Sequence, residues 1–557
     1  MREFIKIFHE DIDKEIEVEM GTTLLEAFEM SGCKTDERLL AGFVNNQLRE
    51  LGSRLFSSAR IRKVNIDSFS GYRVYTRTLW LILQHAIERL YPSGKLYIRH
   101  SIGERGYYCE IEGREELSID EIKRVESEMR RMVEADLPIT RQKLPTTEVR
   151  EIYRSRGYDD KIALLDTRPR LYSEIYTLSG TVGYFYGSLA PSTRYVPHFE
   201  LNPYHNGLFI ALPIRGGEGT ISSIPNQNKM FDIFHGYQSW VDMLGFPTVG
   251  ELNAKVLAGE SNEMIKIAEA LHEKSIAALA DSISAAHLER GVTLVMISGP
   301  SSSGKTTLSH RLGIQLKVLG FQPQLISLDD YFVDRELTPL DESGEYDFEA
   351  LEAIDVDLFN EHLQRLLSGD RVAIPRYDFV SGKSLLHAKP LELGERSLLI
   401  IEGIHGLNPK LTPLIDEQLK FSIYVSCFTA VAMDDTSRIA TSDNRLLRRL
   451  TRDNAQRGTN AAATLARWNS VRRGEERHIF PYQENADVMF NSSLFYEISV
   501  LKRYVEPILH SVPNTLAEYE LAHSLLGFLD NFIPIDPSEI PSTSLLREFI
   551  GKSSFNS

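Results

Sequence analysis

Cysteine is almost missing from this 557-residue chain: Cys33, Cys109 and Cys427 are odd in number, far apart, and form no CxxC pair. That excludes a disulfide framework, a cysteine zinc site and dithiol redox chemistry, and leaves free thiols in a reducing compartment. No stretch approaches the roughly 20 apolar residues that span a bilayer. The opening MREFIKIFHED mixes charges among its apolar residues and lacks the continuous apolar segment of a signal peptide. The sequence therefore predicts a cytoplasmic protein with no membrane contact. Basic residues are outnumbered, 62 against 78 for a net charge of -16, which argues against a surface that binds nucleic acid as a whole. No two of the 15 histidines stand in HxxxH spacing, so no helix face pairs two imidazoles for a metal. Internal repeats are absent too, which excludes a solenoid.

What is present is ordinary globular material: 42% hydrophobic, 25% charged and 9% aromatic residues, enough to bury real cores. At roughly 150 residues per domain the length calls for about three or four domains. Residues 1–65 alternate β-like runs (EFIKIF, EIEVEM, LLAGFVNNQ) with one helical stretch, in which Thr23 and Glu26 have capping-box spacing. Residues 66–230 read as one mixed α/β domain, with a buried helix from about Tyr72 to Tyr91. A second helix there carries Ile122, Val125, Met129 and Met132 on one face and stops at Pro138. Residues 231–288 are alanine-rich and helical in pattern, a strut or linker. From 289 to 495 short apolar runs (Val292–Ile297, QLIS, LLII, FSIYVS, DVMF) alternate with helical segments, the pattern of a doubly wound parallel sheet. Residues 496–557 add a helical C-terminal extension.

The sharpest signal is GPSSSGKTT, which satisfies GxxxxGK[ST] between an apolar strand and a helical pattern. Gly299, Ser301, Ser302, Ser303 and Gly304 let successive N–H groups turn inward as an anion nest, and Lys305, Thr306 and Thr307 open a helix whose positive end faces the phosphates. Lys305 is expected to reach the β and γ oxygens of a nucleoside triphosphate, and the Thr306 hydroxyl to bind Mg²⁺. Acids end two further strands, Asp329 and Asp330 in QLISLDDYF and Glu402 in LLIIEG. Phosphoryl transfer needs such carboxylates to hold Mg²⁺ and to deprotonate an acceptor hydroxyl. Arg445, Arg448, Arg449 and Arg452 share one helix face, with Arg457 beyond; Arg438 to Arg477 holds ten basic residues against four acidic. They read either as a solvated face or as a mobile lid folding over the triphosphate.

GPSSSGKTT, SLDDYF, YDF at Tyr346, PRYDFVSG, IIEGIH and NRLLRRLTRDNAQRG, in that order, resemble the uridine kinase and phosphoribulokinase family over about 290–495. The resemblance implies a P-loop kinase domain using ATP and Mg²⁺ on a small-molecule acceptor, a nucleoside first. By it Asp329 is the catalytic base, and Thr306, Asp329 and Glu402 surround the metal. Arg448 and Arg452 contact the nucleotide; Asp347, Tyr377, Phe379, Arg445 and Arg457 line the acceptor side. Members commonly associate, so a homo-oligomer is implied as well. One position departs: the histidine that helps uridine kinases read the pyrimidine is Gly382 here, which opens the acceptor to another nucleoside, a sugar phosphate or pantothenate.

Residues 1–230 resemble the ubiquitin-like TGS module and the second additional, editing domain of threonyl-tRNA synthetases, through FVNNQL, LQHAIERLYP, IDEIKRVESEMRRMV and RYVPHFEL. Its four editing positions fall on Arg77, Leu81, Phe185 and Leu189, so neither editing nor zinc is expected. The basic clusters Arg60–Lys63 and Arg130–Arg131 are short and give RNA contact no support. The second reading is a nucleotide-switched, RNA-associated or regulatory protein. It rests on the company TGS modules keep and on DESG at 341–344, but no NKxD accompanies it.

Overall fold

The computed structural model describes residues 3–555 except 103–104, 115, 169, 222, 224–226, 342–343 and 380, so the middle of DESG and Val380 of PRYDFVSG lie outside the described residues. The first strands form a five-stranded sheet in the order Lys14–Glu19, Phe4–His9, Ala59–Asn65, Leu39–Val44, Gln47–Arg49. Its outer pairs are antiparallel, and Phe4–His9 runs parallel to Ala59–Asn65. The helix Leu24–Met30 lies against it, opened by the expected Thr23/Glu26 capping box. Such caps are worth about 1 kcal/mol.

The long helix Phe69–Leu90 is buried along most of its length. It packs with a four-stranded antiparallel sheet (Glu200–Tyr204, Gly207–Ala211, Gly106–Ile111, Leu96–Ser101) and a three-stranded one (Thr181–Gly183, Tyr172–Leu178, Ile139–Pro145). The helix Ile119–Glu134 buries the four residues its periodicity selects. A single core runs from Ile5 to Leu212, so both N-terminal parts share one apolar interior. Leu81, Phe185 and Leu189 belong to it.

Three helices follow, Asn228–Leu244, Val249–Leu257 and Ser261–Arg290. They are no bare strut: Tyr237, Val241, Leu252 and Ile265 share a core with Leu446, Trp468 and Val500. Their apolar stripes need a partner, and the helices after 440 supply it.

The central sheet is wholly parallel, in the order Gln322–Ser327, Ser397–Glu402, Leu294–Ser298, Lys420–Ser426, Val488–Asn491. Leu294 and Met296 enter one core while Val295 and Ile297 enter another, which is why this strand reads as an unbroken apolar run. A hairpin, Val372–Asp378 with Lys383–Leu391, stands beside the sheet. Among the described residues the C-terminal part forms the α-helices Glu497–His510, Tyr519–Leu529 and Arg547–Ile550 and one 3-10 turn, Pro537–Glu539. It is an integral layer, since Leu525, Phe528, Leu546 and Phe549 are buried in the same core as Trp468. Among the described residues no helix is long and apolar enough to cross a membrane.

Candidate active site

The phosphate loop leaves the middle strand at Ser298. Gly299 is needed because a Cβ there would strike the Val425 carbonyl of the next strand. Ser302 holds φ +59, a conformation side-chain-bearing residues avoid, and Gly304 holds φ +89 as N-cap of the helix Lys305–Val318. This is the inward-turned backbone of an anion nest. The hydroxyls of Ser302 and Ser303 are buried with no hydrogen-bond partner in the protein, as expected of groups placed for phosphate oxygens. Lys305 Nζ stays at the loop, donating to the carbonyls of Gly299 (2.9 Å) and Pro300 (3.2 Å).

Sheet register brings the acids to this loop. Glu402 pairs with Ile297 on one side and Ser327 on the other, so three strand ends meet. Its Oε1 accepts from Ser327 Oγ at 2.9 Å and Thr306 Oγ1 at 3.3 Å. Asp329 opens the short turn Leu328–Tyr331 and donates its N–H to Ser327 Oγ at 3.3 Å. Burial, with the charge of Asp329 added, pushes the Glu402 carboxyl up to about 7. Two carboxylates forced together beside a hydroxyl form a donor set that fits Mg²⁺, because a dication relieves their repulsion.

Beside the turn that carries Asp329, aromatic rings form a cluster. Tyr377 and Phe379 meet edge to face at 5.1 Å, Phe332 lies 5.5 Å from Tyr377, and Phe379 stays about half exposed. Tyr377 Oη is buried without a hydrogen-bond partner. The Arg457 guanidinium lies 5.4 Å over Phe379. Arg452 and burial lower its pKa to about 10, while Asp329 is close enough to oppose the shift. Asp347 Oδ1 accepts the Glu349 N–H at 3.0 Å. Gly382 holds φ +72, and the Arg335 guanidinium lies 2.8 Å from where a Cβ would stand. Arg335 therefore takes the space in which a histidine would project.

The arginine helix, Thr441–Gln456, departs from the expectation of a mobile lid. Arg445 is buried in a double hydrogen bond with Glu475 and donates to the Ser301 carbonyl at 3.1 Å. Arg448 is buried against Glu497 and donates to the carbonyls of Ser492 (2.8 Å) and Ser302 (3.4 Å). Both brace the phosphate loop through its backbone carbonyls. The reason is tertiary: Glu475 and Glu497, on two later helices, claim these charges, and Leu446, Leu447 and Leu450 bury the same helix. Arg449 reaches Ser301 Oγ at 3.0 Å. Arg452 bonds Asp453 at 3.2 Å.

Sequence reading missed two groups. Glu475 accepts the Ser301 N–H at 3.2 Å. Glu548, in the C-terminal segment, accepts the Thr307 N–H at 3.2 Å and its hydroxyl at 2.7 Å, while Leu545 packs on Gly304 and Phe549 lies 5.0 Å beneath the Arg448 guanidinium. No local pattern announces a contact spanning 241 residues.

Glu349 offers a pH test. Burial, with Glu475 adding, pushes its carboxyl up to about 7, and its Oε2 has no hydrogen-bond partner. The folded chain holds a proton there that an ordinary glutamate near 4.5 releases on unfolding, so stability falls as pH rises from about 4.5 to 7. Glu349→Gln is expected to raise the thermal midpoint at pH 8 and to match wild type near pH 4.5. Equal midpoints at both pH values would contradict the assignment.

A parallel sheet whose central strand feeds a phosphate loop, with paired carboxylates at adjoining strand ends, defines a P-loop kinase fold. The sequence model of the Phosphoribulokinase / Uridine kinase family matches residues 294–498, and the chain belongs to that family. A uridine kinase of Staphylococcus aureus is 30% identical over 204 residues, which cover 36% of this chain and 87% of that protein. A threonine–tRNA ligase of Symbiobacterium thermophilum is 30% identical over 186 residues of the N-terminal region, 33% of this chain. The chain spans only 28% of that ligase's length. Among solved structures, a candidate fructose transport system kinase of Silicibacter sp. TM1040 shares 23% identity (39% of this chain, 98% of that one, TM-score 0.27). A uridine kinase candidate of Bacillus stearothermophilus shares 20% (39% and 97%, TM-score 0.26).

Proposed function

We propose that the protein is an ATP- and Mg²⁺-dependent kinase that transfers the γ-phosphoryl group to a hydroxyl of a small molecule, a nucleoside in the first instance. One observation carries the reading: at the mouth of the phosphate loop Glu402 accepts from Thr306 and feels the charge of Asp329, with an aromatic wall beside them. Thr306, Glu402 and Asp329 would hold Mg²⁺, which when bound neutralises charge on the phosphates. The nest N–H groups and Lys305 bind and orient the triphosphate. Asp329 takes the proton from the acceptor hydroxyl, and Arg457 stands by to balance charge near the transferred group. Tyr377 and Phe379 offer π faces to a planar base.

A second reading, an anionic acceptor such as a sugar phosphate, draws on Arg335, whose guanidinium replaces the pyrimidine-reading histidine with a fixed positive charge. Product-resolved phosphorylation tests both, using Mg·ATP with uridine, cytidine, purine nucleosides, ribulose 5-phosphate and pantothenate, and Lys305→Ala as control. A nucleoside monophosphate that vanishes in the control is the expected product. Phosphorylation of ribulose 5-phosphate alone would replace the first reading with the second. ATP binding with no product at all would overturn both.

A further inference from the structure

Away from the phosphate loop, a cleft of about 570 Å³ opens between the helix Phe69–Leu90, the strand Tyr172–Leu178, the edge strand Gln47–Arg49 and the helix Tyr519–Leu529. In a chain of net charge -16 its lining holds seven cations and two acids. Arg73, Arg141 and Arg170 are neutralised by Asp443, by Glu50 with Glu174, and by Asp530. The other four, Arg49, Arg77, Lys143 and Arg168, make no ion pair among the described residues. Of the two lining acids, Glu174 is the one that pairs with Arg141; Glu520 is half-buried, which raises its pKa, while Ser70 and the charges of Arg73 and Arg77 oppose that shift, so Arg77 has a carboxylate in the same cleft but none in ion-pair contact.

Two of the four unpaired cations are buried, Arg77 with 6% and Arg168 with 9% exposure. A buried guanidinium with no carboxylate in ion-pair contact is costly and marks a place that an anion completes. Arg77 lies 5.0 Å over the Tyr186 ring, and its guanidinium rests on Gly187, where any Cβ would collide with it. Arg168 donates to Tyr184 Oη at 3.0 Å, while its Nε, also buried, has no acceptor. Arg49 and Lys143 add exposed charge at the mouth, where Leu171 and Tyr172 are also exposed. The volume suits a molecule of nucleotide size. Guanidinium forks suit phosphate oxygens, and tyrosine rings suit a planar heterocycle.

We propose that this cleft is a second ligand site, separate from the phosphate loop, that takes a small phosphorylated molecule carrying a planar ring. Its phosphate would be held by Arg77 and Arg168 and its ring by the tyrosine wall.

The test is titration calorimetry on the full chain carrying Lys305→Ala, with AMP, UMP and pyrophosphate as probes at two salt concentrations. The expected result is binding of at least one nucleotide by the Lys305→Ala protein, weakened by salt. Adding Arg77→Gln should weaken it about tenfold or more, the scale of one charge-assisted hydrogen bond. The exposed pair Arg49→Glu with Lys143→Glu, which leaves the core untouched, should weaken it at least several-fold by reversing charge at the mouth. No binding of any probe by the Lys305→Ala protein would overturn the proposal, as would binding indifferent to the exposed pair. An RNA oligonucleotide bound where no mononucleotide binds would overturn it too. The kinase reading fails only in the phosphorylation assay, so the two can fail separately.

Discussion

Asp329→Asn is expected to bind Mg·ATP within a few-fold of wild type yet to turn over about 10² to 10⁴ times more slowly, the usual weight of a general base. Asparagine keeps the size of the side chain and leaves the backbone N–H on Ser327 Oγ, so the turn at the strand end survives. What it removes is the group that accepts a proton. It also removes a negative charge that holds the Glu402 carboxyl up, so Glu402 should ionise at lower pH in the variant. Nucleotide titration and single-turnover phosphorylation separate the two effects. Wild-type turnover in the variant would take the base role from Asp329, and Asp330, whose carboxyl is raised by burial, would be next to test.

Glu548→Ala is expected to tighten nucleotide binding about tenfold or more. The N–H of Thr307 lies in the first turn of the phosphate-loop helix, among the donors that such a helix end offers to anions. Glu548 already satisfies it, and its carboxylate sets a negative charge where a polyphosphate would gather. A nucleotide must displace that contact or bind against its charge. Charge-assisted hydrogen bonds are worth about 1.5–3 kcal/mol, enough for the stated change. Glu548→Gln, which keeps an acceptor and drops the charge, should fall between. Leu545, Leu546 and Phe549 remain in place in both variants, so the layer they build is kept. Displacement of a fluorescent ATP analogue measures the change. Weaker binding in Glu548→Ala would instead make the C-terminal segment a required wall of the site.

Much of this architecture was legible along the chain because it is locally encoded. An apolar run buried on both faces, then glycine and serine residues, then a helix, can be read as strand, loop and helix without knowledge of neighbours. The capping box at Thr23 and the stripe Ile122–Met132 were legible for the same reason, since periodicity and caps act within a few residues. The arginine helix shows where such reading stops. Spacing placed Arg445 and Arg448 on one face, yet whether that face meets phosphate or carboxylate depends on Glu475 and Glu497, which two other helices bring in. The same holds for Gly382, whose meaning is changed by an arginine 47 residues earlier, and for Glu548 on Thr307.

The parallel kinase sheet, its phosphate loop and the acids at its strand ends follow from contiguous residues, because motif and hydrophobic period are local properties. Which charges neutralise each other is a matter of how distant segments pack. That packing turned two expected lid arginines into buried braces and brought a C-terminal carboxylate to the loop. In the N-terminal cleft it left Arg77 and Arg168 buried without an ion pair. Such contacts are settled by distance in space, and an ion pair that closes over 30 residues or a hydrogen bond that closes over 241 leaves no mark in the local pattern.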